Sequence, residues 1–228
     1  MQYDHVTAPD RGAEDISEHG IPRRLGGWSL KILTALALAF STFQLAIAAF
    51  APLSSQVTRS LHVGFLLLIA FVLYPSFRHG AKLSRVPWHD WLLAGGAFVL
   101  SLYHWVFEAE LIQRSGDPSN ADLVVGAAFV VLVFEATRRL MGLALPIMCA
   151  VFLAYGLWGQ YLPEFIAHRG YGFDQIIGTL FLSTEGIFGV PTWVSATYIF
   201  LFILFGAFLE HAGMIRLFNA LALGLVGH

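Results

Sequence analysis

Nine histidines stand among the 228 residues, and imidazole is the side chain best suited to carry protons or hold metals near neutral pH. Their spacing argues against the commonest helical metal site. No two lie four residues apart, and there is no HExxH string. His62 and His104 differ from the rest because each interrupts a long apolar stretch. A polar group at membrane depth is a candidate ligand or proton relay. Both also fall near the ends of their stretches, where water or headgroups would satisfy an imidazole, and that structural reading stands beside the functional one. Gln44 and Ser41 interrupt another apolar stretch. A hydrogen bond from Gln44 to a neighbouring helix is worth about 0.6 kcal/mol in such settings, and a substrate contact is the alternative.

The densest charge group is Glu135, Arg138 and Arg139. Offsets of three and four residues place Arg138 and Arg139 on the same helical face as Glu135. The group reads either as a contact for substrate or a moving domain, or as an anchor at a membrane interface with snorkelling arginines. No GxSxG string supports a serine hydrolase. The one cysteine, Cys149, can form no internal disulfide. No enzyme and no cofactor are expected from these residues.

The elements that must carry these groups are apolar helices. Hydrophobic residues make up 57% of the chain and charged residues 12%, an imbalance that a soluble domain of this length does not need. Runs free of Asp, Glu, Lys and Arg cover Ile32–Thr58, Ser60–Phe77, Trp91–Phe107, Leu140–Pro163 and Gly186–Leu209. A bilayer core takes about 20 apolar residues per helix. The runs are continuous rather than alternating, which indicates helices and not a barrel. The expected fold is all-α, a polytopic membrane protein of about six spans with added amphipathic helices. The spans are placed near Trp28–Phe50, Ser60–Pro75, Asp90–Phe107, Ala121–Thr137, Leu140–Trp158 and Pro191–Leu209. The fourth is the shortest in its uncharged part, Leu123–Phe134.

Charge asymmetry orients them. With the N-terminus inside, ten basic residues fall on inner segments: Arg11, Arg23, Arg24, Lys31, Arg78, Lys82, Arg85, Arg138, Arg139 and Arg216. Three fall outside: Arg59, Arg114 and Arg169. This is the positive-inside pattern, and omitting the fourth span would put Arg138 and Arg139 outside. All six tryptophans fall near span ends, as interface aromatics do. Phe173, Ile176, Ile177, Leu180 and Phe181 share a helical face, with Asp174, Gln175 and Thr179 between them. That pattern predicts an amphipathic helix lying in the outer interface. Gly213–His228 reads as a further interfacial or re-entrant helix. Pro146, Gly142, Gly156 and Gly159 predict local irregularity in the fifth span, either a broken helix of the kind that lines transporter sites or, more simply, a proline kink. Net charge is −2, and no nucleic-acid partner is indicated.

Several strings in order give a resemblance. They include Phe43-Gln44-Leu45, Arg59-Ser60-Leu61-His62, Val72-Leu73-Tyr74-Pro75 and Val86-Pro87-Trp88-His89-Asp90-Trp91. Asp122-Leu123-Val124-Val125-Gly126, Glu135-Ala136-Thr137-Arg138-Arg139, His168-Arg169-Gly170-Tyr171 and Thr184-Glu185-Gly186-Ile187-Phe188-Gly189-Val190-Pro191 follow. Over about residues 28–228 the chain resembles the fused membrane component of TRAP transporters, of the kind associated with TAXI-type receptors. The polar residues before Trp28 read as a cytoplasmic tail at 1–27, and the resemblance implies a four-helix small-subunit-like domain at 28–138 and the start of a large transport domain at 139–228. It implies a bacterial inner-membrane permease that imports organic anions or related solutes, with sodium as coupling ion. Its partners would be a periplasmic solute-binding receptor and the remaining large-subunit helices. Members of the family continue past the counterpart of His228 into a hairpin that carries most sodium and substrate ligands. The chain is therefore expected to be a fragment, a truncated frame or one piece of a split protein, with no ligand to carry over. On the outer segment, Arg169, Asp174 and Glu185 are the candidate receptor-docking residues. A membrane scaffold that moves nothing is the alternative reading.

Overall fold

A computed structural model describes residues 20–76 and 85–226. The polar tail expected at 1–27 lies outside the described residues as far as residue 19, and so do Arg78 and Lys82. Among the described residues all regular structure is helical. Five helical stretches are long and apolar enough to cross a membrane: Gly27–Phe50, Ser55–Leu73, Asn120–Met141, Ala144–Tyr161 and Val190–His211.

Local chemistry sets where the helices begin and end. Helix α1 (Gly27–Phe50) stops at Ala51, which turns left-handed at φ 43° and returns its N–H to the Ile47 carbonyl. Helix α2 (Ser55–Leu73) starts one turn earlier than the sequence implies, because Ser54 Oγ caps the Val57 N–H. The expected third span is divided into α3 (Trp88–Ser101), α4 (Tyr103–Val106) and α5 (Glu108–Gln113). The first break follows Ser101, whose hydroxyl donates back to the Phe98 carbonyl at 2.7 Å. Such back-bonding bends helices. The fourth span, shortest by sequence, forms a 22-residue helix, α6 (Asn120–Met141). It opens with a reciprocal cap between Ser119 and Asp122 and closes at Gly142, whose φ of 79° suits glycine.

In α7 (Ala144–Trp158), Pro146 occupies the first turn. An N–H there has no helical partner, so the proline starts the helix and does not kink it. The chain then runs through α8 (Phe173–Ile177), a π-helical turn at Gly178–Leu182, α9 (Val190–Val194), a second π-helical turn at Ser195–Ile199 and α10 (Phe200–His211). Gly213, at φ 78°, leads into α11 (Met214–Val226).

The core lies where α2, α3 and α6 meet the 173–189 segment. Phe71, Ala94, Ala97, Phe129, Phe181 and Phe188 are buried together there. Two small residues set the α2–α3 crossing. A Cβ on Gly64 would lie 2.0 Å from Ser101 Oγ, so the helices approach closely without a GxxxG pair. Gly126 plays the same part on α6, where a Cβ would meet Ile177 at 2.5 Å and Phe181 at 3.0 Å. The stripe expected to lie in the interface is thus split. Ile177 and Phe181 are buried against α6, while Phe173 is exposed. In contrast, α1, α7 and α10 expose Leu38, Val151, Phe152, Phe202, Phe205 and Phe208.

Candidate functional site

Gln44, Ser60, His62 and His104 lie buried along the seam between residues up to Met141 and those after it. His62 lies seven residues into α2, about 10 Å from the helix start, and is 1% exposed. Gln44 Nε2 donates to His62 Nδ1 at 3.0 Å and to the Ala196 carbonyl at 2.7 Å. The carbonyl can only accept, so the amide nitrogen is the end that faces it. His62 Nδ1 is then the acceptor, and Nε2 carries the proton toward Ser195 Oγ at 3.2 Å. His104, 2% exposed on α4, forms a second set of buried hydrogen bonds. Its Nε2 donates to the Phe181 carbonyl at 3.0 Å, and its Nδ1 faces Ser60 Oγ at 3.2 Å. Ser60 Oγ also donates to the Ser101 carbonyl at 2.7 Å.

Both histidines therefore tie the helices that precede Gly142 to a π-helical turn of the following segment. A π turn is looser than an α turn and often marks a functional position. Arg59 adds a third tie, donating to the Phe188 carbonyl at 2.6 Å with its guanidinium 5.0 Å above the Trp193 ring. The expectation that His62 and His104 reach water or headgroups is corrected. Ser60 looked like the helix start because Arg59 precedes it, yet Arg59 is folded inward and the helix begins at Ser55.

At one end of the bundle, Glu135, Arg138 and Arg139 are brought together with two residues that the sequence reading did not associate with them. Asp90 is fully buried in the first turn of α3, where the helix dipole favours an anion. It accepts from Arg139 Nη1 at 2.8 Å and is ion-paired with Arg23 Nη2. Arg139 Nε donates to Glu135 Oε1 at 2.8 Å, and Arg138 Nε to Glu135 Oε2 at 2.7 Å. Arg139 is buried rather than snorkelling.

The same arginines complete the end of α2. Its last four carbonyls need partners from outside the helix pattern. Tyr74 N–H returns to Ala70, Arg23 Nη1 reaches Phe71 and Val72, and Arg23 N–H donates to Leu73 at 2.8 Å. Gly20 N–H donates to the Leu140 carbonyl at 3.0 Å. Residues 20–26 thus form a strap across the ends of α2 and α6. A Cβ on Gly20 would stand 2.0 Å from the Arg139 carbonyl oxygen. The signal that could have found Arg23 was its place beside Arg24, just before an apolar run. Nothing local pointed to Asp90, which is 67 residues away.

At the opposite end, a cleft of about 410 Å³ opens between the end of α5 and the loop after it, the start of α6 and the 174–185 segment. Asp174 and Glu185 both line it, with Arg114 and buried Asp122 on the facing wall. Arg114 Nη2 lies 3.3 Å from Asp122 and 3.7 Å from Glu110, and Tyr103 Oη donates to Asp122. Arg169 is exposed in the preceding loop and does not line the cleft. Among the described residues there is no cluster of metal-ligating side chains. Comparison with protein-family models, with curated proteins and with solved structures gives no match to the chain.

Proposed function

We propose that the protein is the membrane-embedded permease component of a receptor-dependent, sodium-driven secondary transporter that imports organic anions or related small solutes. It crosses a bacterial inner membrane several times with its N-terminus in the cytoplasm. The observation that carries the reading is the separation of polarity along the molecule. The Arg23–Asp90–Arg139–Glu135 network closes one end and the Arg114–Asp122 cleft the other. Between them α1, α7 and α10 show apolar faces to their surroundings. Such contiguous surface is rare on a soluble monomer. Trp28, Trp88, Trp105 and Trp158 are exposed near helix ends, as in an aromatic belt.

Transport is favoured over a purely structural role by the interrupted helices. Carbonyls of the two π turns face inward and bind polar side chains at apolar depth. Transporters use discontinuous helices in this way. The resemblance to fused TRAP components supplies the sodium coupling, the receptor and the solute class. The cleft is where a receptor would meet the chain, with Asp174 and Glu185 taking basic residues of the partner. A non-transporting scaffold is the second reading. It is favoured by the seam's polar groups being largely occupied by one another.

Uptake into right-side-out vesicles decides between them, using cells that express the chain with its flanking genes. Sodium-gradient-dependent uptake that requires the chain and an exported binding protein is expected. Uptake unaffected by deleting the chain leaves the scaffold reading. The Asp174→Lys, Glu185→Lys double variant should raise the receptor concentration needed for half-maximal uptake about tenfold, with a strong salt dependence.

A further inference from the structure

The His62 site contains a directional conflict that only a proton can trigger. Gln44 spends both amide hydrogens at once, one on His62 Nδ1 and one on the Ala196 carbonyl. The arrangement requires Nδ1 to be bare. A proton placed on Nδ1 would set an N–H against the Gln44 amide N–H at a spacing of 3.0 Å. The amide has one relief, a flip that turns its Oε1 toward the imidazolium. That oxygen has no partner among the described residues, so the flip sacrifices no bond on its side. After the flip, however, Oε1 faces the Ala196 carbonyl, and two acceptors stand where a 2.7 Å hydrogen bond had been. The carbonyl must withdraw.

We propose that His62 is a proton-operated latch: in its neutral form it holds α1 to the π-helical turn at Ser195–Ile199, and its protonation releases that turn and the start of α10. The loose geometry of a π turn makes it the element able to shift, and Ala196 is buried against the latch. The groups meeting the imidazole are Phe40 and Gln44 from α1 and Ser195 and Phe200 from the other side. None of them titrates. The other titratable groups of the seam are Arg59, on the same helix and bound to the Phe188 carbonyl, and His104, from α4 and bound to the Phe181 carbonyl. The charged residues of α3 and the end of α6, Asp90, Glu135, Arg138 and Arg139, lie at the far end of α2, about 14 Å or more along its axis. The latch does not depend on the transport reading.

Hydrogen exchange of the full chain in lipid nanodiscs tests it, read at the amides of residues 195–200 and corrected for the intrinsic effect of pH. Between about pH 8 and about pH 5, opening of this segment should increase about tenfold, the effect of losing one buried hydrogen bond. His62→Gln should abolish the response. Gln44→Leu should leave the segment open at both pH values. Unchanged protection in the wild type would overturn the proposal, as would a full response in His62→Gln. If His62→Gln does not fold, Gln44→Leu decides: a pH response equal to the wild type's would overturn the latch.

Discussion

Replacing Asp90 with alanine is expected to lower the melting temperature of the purified chain by roughly 6–20 °C. Asp90 is the common anion between Arg23 and Arg139, and all three side chains are buried. Removing it leaves two buried guanidinium groups facing one another, Arg23 with no carboxylate and Arg139 with Glu135 alone. Breaking a buried ion pair in this way costs about 3–5 kcal/mol. For a chain of this size each kcal/mol moves the melting point by about 2–4 °C. The loss spreads beyond the pair, because Arg23 also holds the Val72 carbonyl at the end of α2 and Arg139 the Tyr74 carbonyl just past it. Asp90→Asn keeps an acceptor and should fall between. Glu110→Ala removes a largely exposed partner at 3.7 Å and should change stability by less than about 1 kcal/mol. Thermal unfolding in lipid nanodiscs checks all three. A melting point for Asp90→Ala within two degrees or so of wild type would show that the Asp90 network is not what joins the strap, α2, α3 and α6.

Phe181→Ala should cost a similar amount, about 3–5 kcal/mol, with a local signature. Phe181 is fully buried, with ring centroids 5.2 Å from Phe129, 5.8 Å from Phe188 and 4.6 Å from His104. Its backbone carbonyl also accepts a hydrogen bond from His104 Nε2. Truncating the ring empties the space that Gly126 leaves open on α6 and removes the wedge joining α6 to the 173–189 segment. Hydrogen exchange should therefore rise over residues 173–189 well before it rises in α2 or α3. Phe181→Leu, which fills part of the volume, should lose less. Equal protection of 173–189 in Phe181→Ala and wild type would mean that the segment is held by other contacts.

The helices were legible because their patterns are local. Continuous apolar runs gave the long spans, and the 3.6-residue period marked Phe173–Phe181 before any contact was known. Even the short fourth span was recovered from charge placement, since Arg138 and Arg139 belong on the same side as Arg23 and Arg24. What escaped was long-range or depended on backbone geometry. Asp90 looked like a span boundary because its two arginines lie 67 and 49 residues away. Arg59 looked like a helix flank, although its charge is folded onto a carbonyl 129 residues on. That single misreading moved the start of α2 and made His62 look accessible. The π turns have no residue signature of their own, so the carbonyls they offer to Gln44 and His104 were invisible in the sequence. Pro146 was misread for a simpler reason: its effect reverses between the middle and the first turn of a helix, and Gly142 had already ended the helix before it.

The receptor cleft and transport both presuppose helices that cross a bilayer with the Asp90 network on the cytoplasmic side. Single-cysteine labelling in intact cells measures this directly, with Cys149 first replaced by serine. Asp117→Cys and Glu164→Cys should react with a membrane-impermeant maleimide added outside. Arg24→Cys and Leu143→Cys should react only after the membrane is permeabilised. All four positions are exposed, so folding does not hide them. Reaction of Leu143→Cys in intact cells would mean that α6 does not cross. Reaction of all four, or recovery of the protein in the soluble fraction, would contradict the membrane reading itself.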